Sequence, residues 1–546
     1  MNARGVLILV GLAACAGSNG HAPGTLRFRN QDPVTLVNDR APLAAPPATF
    51  DQGLVEYYIH QDLIEPTRRA LTVEDPRRAL NVNSLGEVPD STWFENRNLS
   101  PEEIRKGPGI GGPDRSQPWR VVGVKVGGAA IGITFEDARK DRYVLKFDEH
   151  NFPETESSAD VIVQRLAWAF GYHVPDNQVV TFKREQLTLD PTAEVKNRAG
   201  GKRPMTQADL DQYLGFADSE NGTYRALASK MIGGKIIGGV EPEGTRKGDP
   251  NDRVPHELRR DLRGQRVLWA WVNHPDIKSQ NSLATLEPDG FVKWYTLDFG
   301  ESLGVGARTT SVPRLGHRST YGVRAALLSL VTFGAYVHPW ERTAPRPPLR
   351  GLGDFESEQF DPATWAPNHN WRPTDVSDKL DQFWATEILL RMTPAHVQAA
   401  VEAGQYTDPR TTAYVVKTLI ERQRKIGRWA LSRVAPLTAV TARTSPEGLT
   451  VCFEDLWIAH GYGAAAATRY EVASFDYAGA PLGTKRTMTA AAPKACATGL
   501  GAGTSHEGYT IVSLRVNRDG AADPPPMFVH IAAGPGGPRV IGLDRR

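Results

Sequence analysis

The sequence predicts an α+β protein in two parts, a mixed domain over residues 119–436 followed by a small C-terminal β-sandwich over 437–546. Three observations predict it. Strand-like runs at 119–135 and 142–147 lead into a helix closed by Gly171. Apolar residues at helical spacing crowd into residues 376–434, and beyond Pro436 the chain turns to short β-prone runs separated by turn residues.

With 546 residues, 40% of them hydrophobic and 23% charged, the chain is long enough for two or three domains with cores of their own. A formal net charge of +2 excludes a nucleic-acid binder that relies on a basic surface. At the N-terminus, Met1 to Arg4 carries one positive charge and the apolar run from Gly5 ends in Leu12-Ala13-Ala14-Cys15. That run is too short to span a bilayer and reads as a targeting segment. L-A-A-C resembles a bacterial lipobox, which implies a signal peptide over 1–15, export, and a lipid anchor on Cys15 in the cell envelope, at the outer membrane or the periplasmic face of a Gram-negative cell. Residues 16–54, rich in Pro and Ala, read as a tether, and 55–118 as an N-terminal extension packed on the main domain. Cys452 and Cys496 remain as a candidate disulfide in an oxidising compartment, Cys452 on a strand and Cys496 in an Ala/Gly-rich loop.

The run W-R-V-V-G-V-K-V-G-G-A-A-I-G-I-T-F reads as two strands joined by a turn of small residues, and R-Y-V-L-K-F as a third strand carrying Lys146. Gly127 and Gly128 leave backbone N–H groups open to phosphates. Thr155 is the expected N-cap of the next helix, whose Glu156 and Asp160 stand four apart on one face. A strand at 179–182 follows, then a polar, turn-rich insertion over 183–212, a regular segment at 224–232, a Gly-rich hinge at 233–239 and a helix at 256–271. Trp340, Trp365 and Trp371 punctuate a long Arg- and Pro-rich stretch and are expected to pack across the domain. Helices at 376–390, 394–403 and 409–434 complete this part, and strands at 449–453, 456–459, 469–477, 509–516 and 527–531 build the last.

The chemistry concentrates in residues 273–304. N-H-P-D-I-K-S-Q-N-S-L, a turn at 287–290, and V-K-W-Y-T-L-D-F-G-E-S-L-G place two carboxylates, an amide and an ammonium on turns framed by strand-like runs. Phosphoryl transfer needs a base for the acceptor hydroxyl, oxygen ligands for Mg2+ and positive charge on the phosphates, and this stretch offers all three.

His274-Pro275-Asp276-Ile277-Lys278-Ser279-Gln280-Asn281 resembles the protein-kinase catalytic loop H-R-D-L-K-x-x-N, and Asp298-Phe299-Gly300 resembles D-F-G. The likeness spans 119–434 and is matched by the atypical kinases of the HipA and CotH kind, related distantly to lipid kinases. It implies a two-lobed protein-kinase-like domain, with an N-lobe over 119–232 that includes the insertion and a C-lobe over 233–436. It implies an ATP- and Mg2+-dependent phosphotransferase acting on an unknown hydroxyl-bearing acceptor. Asp276 and Lys278 would be catalytic, the first as base and the second neutralising the transferred group. Lys146, Gly127 and Gly128 would hold the nucleotide, with Asp160 or Glu156 pairing with Lys146 and Asp160 favoured. Asn281 and Asp298 would hold Mg2+. The alternative is a catalytically inactive kinase-fold lipoprotein that binds a ligand or partner, since ATP is scarce outside the cytoplasm.

Overall fold

The computed structural model describes residues 26–72, 77–125, 131–196, 201–306, 309, 315–317, 323–338, 341, 346–520 and 522–546. The targeting segment, Gly127, Gly128 and Trp340 lie outside the described residues. Residues 26–53 carry no helix or strand and run along the body, with Val37 N donating to Asp90 O (2.8 Å), Leu43 N to Gly290 O (2.8 Å) and Phe50 N to Ile237 O (3.0 Å). Helices α1 (Leu54–Ile59) and α2 (Glu65–Ala70) form one rod through a π-helical turn at His60–Ile64. Helix α3 (Pro101–Lys106) starts in a reciprocal cap between Ser100 and Glu103 and buries Ile104.

Strands β1 (Trp119–Val124), β2 (Gly132–Glu136) and β3 (Arg142–Phe147) lead into α4 (Glu156–Phe170). Next come β4 (Asn177–Lys183), β5 (Leu187–Lys196), β6 (Lys202–Pro204), α5 (Gln207–Leu214), β7 (Ser219–Glu220) and β8 (Thr223–Lys230). They form one mixed sheet in the order β4-β8-β3-β2-β1-β5-β6, with β7 beside β8. All pairings are antiparallel except β1 with β5. The stretch expected as a turn-rich insertion thus supplies β5, β6 and α5. Its polar residues mislead because β5 and β6 lie at the sheet edge, where outward side chains stay wet.

The period of two along β3 decides where Lys146 goes. Tyr143, Leu145 and Phe147 join the core that Leu210 and Leu214 of α5 also enter, so Lys146 stands on the other face, where α4 packs. Thr155 holds the expected N-cap position of α4 but in helical backbone geometry, its hydroxyl donating to Phe152 O instead of capping.

Strand β9 (Lys235–Ile236), α6 (Arg260–Val272), and the hairpin β10 (Ser282–Leu286) with β11 (Val292–Thr296) follow, β9 pairing with β10. Then come α7 (Val323–Val331), α8 (Arg372–Asp375), α9 (Lys379–Arg391), α10 (Pro394–Ala403) and α11 (Pro409–Leu431). Trp365 and Trp371 are buried in the same core as α6, in keeping with packing. Helix α6 is fixed at both ends. At its start, buried Asp381 of α9 takes Arg260 at 3.0 Å and Arg263 at 3.2 Å. At its end, buried Arg422 of α11 donates to Ala270 O (2.6 Å) and Trp271 O (2.9 Å), carbonyls of the helix's last turn. Asp381→Ala is expected to leave two buried guanidinium groups without their carboxylate, at a cost of about 3–5 kcal/mol, read as a lower midpoint in urea.

Beyond this region lie β12 (Leu437–Ser445), β13 (Gly448–Asp455), α12 (Leu456–Ala459), β14 (Thr468–Phe475), β15 (Arg486–Thr489), β16 (Lys494–Leu500), β17 (Thr510–Arg518), β18 (Met527–Gly534) and β19 (Gly537–Arg545). They make a three-stranded sheet, β12-β13-β16, and a five-stranded one, β15-β14-β17-β18-β19, which share a core that includes Leu437, Val451, Tyr470, Val512 and Val529. Residues 456–459, expected as a strand, are helical because the Asp455 carboxylate accepts from Trp457 N and caps a turn. Cys496 lies on β16, not in a loop, directly opposite Cys452 on β13, and the two are disulfide-bonded. Its Ala- and Gly-rich surroundings hide a strand whose pairing comes from β13.

Candidate active site

The site begins where α6 ends. Asn273 adopts a left-handed conformation (φ 48°), which asparagine tolerates, and its side-chain oxygen accepts from Trp365 Nε1 at 2.9 Å. The chain turns out of the helix, and Ile277 anchors the loop in the core. Asp276 is gripped from two sides. Lys278 Nζ lies 2.6 and 2.7 Å from its carboxylate oxygens, and Asn281 Nδ2 donates to its Oδ2 at 2.8 Å and its backbone carbonyl at 2.7 Å. Both partners bond the charged carboxylate, so they orient it and keep it able to accept.

The β10–β11 hairpin returns the chain to this loop. Its register pairs Ser282 with Thr296, and one step further Leu297 N donates to Asn281 O at 3.1 Å. Asp298 therefore emerges beside Asn281. It sits in left-handed backbone geometry (φ 63°), and Phe299 is buried with its ring 6.0 Å from those of both Trp269 and His274. His274 closes the arrangement, its Nδ1 lying 2.9 Å from Ser302 Oγ.

Lys146 joins the helix that follows its strand to a loop 152 residues away. Its ammonium lies 2.6 Å from Asp298 Oδ1 and 3.3 Å from Asp160 Oδ2. Asp160 is wholly buried on α4, and its other oxygen accepts from Asn177 Nδ2 at 2.6 Å. The Asp298 side chain keeps 41% of its surface accessible although protein groups crowd it. The electrostatics follow from this difference. Lys146 holds the Asp298 carboxyl down at about 2 against the effect of burial. Burial raises Asp160 although Lys146 opposes it. Burial also works against the Lys146 charge, but the two carboxylates outweigh it and hold its pKa above the ordinary value. A cation paired with an ionised Asp298 is the state these interactions favour.

The structure thus brings Lys146, Asp160 and Asp298 into one cluster and Asp276, Lys278 and Asn281 into another. Lys278 also helps to lower Asp298, so the clusters are within electrostatic reach of each other. Asp160 makes the contact with Lys146, whereas the Glu156 side chain lies against Gly300, 3.6 Å from where a Cβ would stand.

Four further residues belong to this neighbourhood. Asn177 orients Asp160. Lys125, at the end of β1, has its pKa lowered by burial and by Lys146, while Asp298 and Glu156 support its charge. One sign in the sequence marks it, as the lone cation in an apolar run just before the glycine turn. Tyr58 of α1 stacks on His369 (centroids 4.1 Å apart), and its pKa is raised by burial while Lys278, Asp276 and Glu301 also act on it. Glu301, directly after D-F-G, is pushed up to about 7 by burial and by Asp276.

Glu301 yields a pH prediction. The folded protein keeps this proton up to about pH 7, while the unfolded chain releases it near 4.5, so folding is increasingly penalised as pH rises through that window. Glu301→Gln is expected to gain stability over the wild type across that window and to hold the gain above it, read from melting temperatures over the pH range.

Among the described residues no group of three or more His, Cys, Asp or Glu side chains is arranged to hold a metal ion. Asp298 and Asn281 offer hard oxygen donors, which fits Mg2+, an ion bound through one or two carboxylates with water and phosphate oxygens completing its shell. An aromatic cavity of about 40 Å³ behind the loop, lined by Trp93, Trp269, Trp294 and Trp371, has room for water and none for a nucleotide.

No family model matches the chain, and no curated protein matches it. Among solved structures it is similar to the Helicobacter pylori proinflammatory kinase CtkA, at 9% identity over 55% of this chain and 94% of that one, with a TM-score of 0.29. It is similar also to the Golgi casein kinase with Mn/ADP bound, at 11% identity over 58% of this chain and 72% of that one, TM-score 0.29. A second structure of the Golgi casein kinase gives 11% identity, 57% and 75% coverage and a TM-score of 0.23. At TM-scores this low the functional reading rests on side-chain geometry alone.

Proposed function

We propose that the chain is an ATP- and Mg2+-dependent phosphotransferase of the atypical kinase type acting on a hydroxyl-bearing acceptor. Residues 119–232 and 233–436 act as its two lobes, and 437–546 form a β-sandwich domain. One observation carries the reading: the Lys146 ammonium on β3 meets Asp160 of the next helix and Asp298, 152 residues further along the chain, beside a loop in which Asn281 and Lys278 hold Asp276 ready to accept a proton.

In this reading Lys146 and Lys125 draw the nucleotide phosphates, and Asp298 and Asn281 would hold Mg2+, which supplies charge neutralisation on the phosphates. Asp276 takes the proton of the acceptor hydroxyl as its oxygen bonds to the γ-phosphorus and the bond to the ADP oxygen breaks. Lys278 offsets negative charge on the transferred group. The test is γ-phosphate transfer or hydrolysis by the full chain with Mg2+. Turnover that Lys146→Met removes supports the reading, and nucleotide binding without turnover would favour the inactive, ligand-binding alternative.

We also propose that the protein is exported and lipid-anchored through Cys15. The Cys452–Cys496 disulfide supports this, since such bonds persist in oxidising compartments. Labelled fatty acid incorporated into the wild type and not into Cys15→Ser is the expected result.

A further inference from the structure

The rod made by α1, the π-helical turn and α2 is amphipathic inside out. Gln61, Asp62 and Glu65 are buried, Asp62 accepting from Asn370 N at 2.8 Å and lying 2.6 Å from His369 Nδ1. Tyr57 enters the core, but five apolar residues face outward: Val55 is 71% exposed, Ile59 50%, Leu63 60%, Ile64 48% and Leu71 83%. Val55, Ile59 and Leu63 stand four apart and form one stripe. A rod that hides Asp62 and Glu65 and shows this apolar stripe is built for an apolar partner.

The chemistry of that partner is indicated at the far end of the rod. Here an open cleft of about 700 Å³ is walled by Arg69, Arg266, Arg372 and Arg433, with Asp375 the one acid among the described lining residues. The carboxylates that meet these arginines are shared. Glu243 lies 2.6 Å from Arg69 and 3.7 Å from Arg372. Arg433 is held by the Gln382 amide and the face of Trp429, and burial lowers its pKa with Asp378 opposing. Arg69 Nε and Ser377 Oγ are buried there without a hydrogen-bond partner. A cation depressed by burial at Arg433 and donors left unpaired at Arg69 and Ser377 are what an incoming anion would relieve.

We propose that this face docks on an anionic phospholipid surface, the phosphate of a lipid headgroup entering the arginine cleft while the stripe of Val55, Ile59, Leu63 and Ile64 lies in the interface beside it. Continuity of the two features along one rod argues for a lipid, which carries phosphate and hydrocarbon in one molecule. A second copy of the chain would set the same arginines against each other. Among the described residues no helix is long and apolar enough to cross a membrane, so this is association with a surface. The inference does not depend on the phosphate-transfer reading.

The test is flotation of the full chain, carrying Cys15→Ser throughout, with vesicles of phosphatidylcholine alone or with phosphatidylglycerol. Arg266→Ala with Arg433→Ala is expected to weaken binding to the phosphatidylglycerol vesicles about 30-fold, roughly fivefold for each arginine. The corresponding lysine pair should retain most of it, and binding to phosphatidylcholine alone should not change. Leu63→Ser with Ile64→Ser is expected to weaken binding to both compositions while leaving affinity for soluble glycerol phosphate intact. Vesicle binding indifferent to the arginines would overturn the proposal. So would vesicle binding indifferent to the apolar pair, which would make the cleft a site for free phosphate. Dimerisation in light scattering that the apolar substitutions abolish would overturn it in favour of a second copy.

Discussion

Asp298→Asn is expected to lower γ-phosphate transfer by about 10²–10³-fold, measured as turnover with saturating acceptor or as hydrolysis in its absence. Asparagine has the shape of aspartate and accepts the left-handed backbone at φ 63°, so the turn after β11 should survive. What is lost is charge: the oxygen 2.6 Å from Lys146 and the one carboxylate among the two proposed Mg2+ ligands. Near neutral pH the variant should be modestly less stable than the wild type, the loss kept small because Asp160 still holds Lys146 and the Asp298 side chain is 41% accessible to water. Below neutrality the sign is fixed by the depressed pKa. The wild-type carboxylate contributes stability that is present above its ordinary value near 3.8 and is lost as pH falls toward about 2, so the wild type should lose its margin over the variant in that range.

Asp276→Asn is expected to cut kcat by about 10²–10⁴-fold while the KM for nucleotide stays near the wild-type value. Asp276 touches Lys278 and Asn281, and neither belongs to the cluster around Lys146. A fall in kcat alone identifies a group used when the acceptor proton moves. A matching fall in nucleotide affinity would instead mean that Asp276 serves to hold Lys278 in place.

Most of the site was legible because its parts are local. H-P-D-I-K-S-Q-N and D-F-G each lie within a single turn of chain, and the alternation in R-Y-V-L-K-F already put Lys146 on the face away from Tyr143 and Leu145. The fold was legible where periodicity is strong, as in α4, α10 and strands β1 to β4. What escaped depends on partners far away in sequence. Asn177 matters because Asp160 faces it across the α4–β4 packing. Tyr58 comes within electrostatic reach of Asp276 and Lys278 because α1 packs on residues 369–370. Strands β5 and β16 are polar or small-residue runs that become strands only by pairing with β1 and β13. Residues 456–459 were misassigned for the opposite reason, since one local cap from Asp455 outweighed their β propensity.

The central claim is that the convergence of Lys146, Asp160 and Asp298 holds a nucleotide through Mg2+. It is tested most directly by titrating Mg2+-ATP into the full chain and into Asp298→Asn in a calorimeter, with and without the metal. Mg2+-dependent binding to the wild type that the substitution weakens at least about tenfold, a difference of about 1.4 kcal/mol, is the expected result. Absence of nucleotide binding by the folded wild type, or binding equal in both proteins and indifferent to Mg2+, would contradict it.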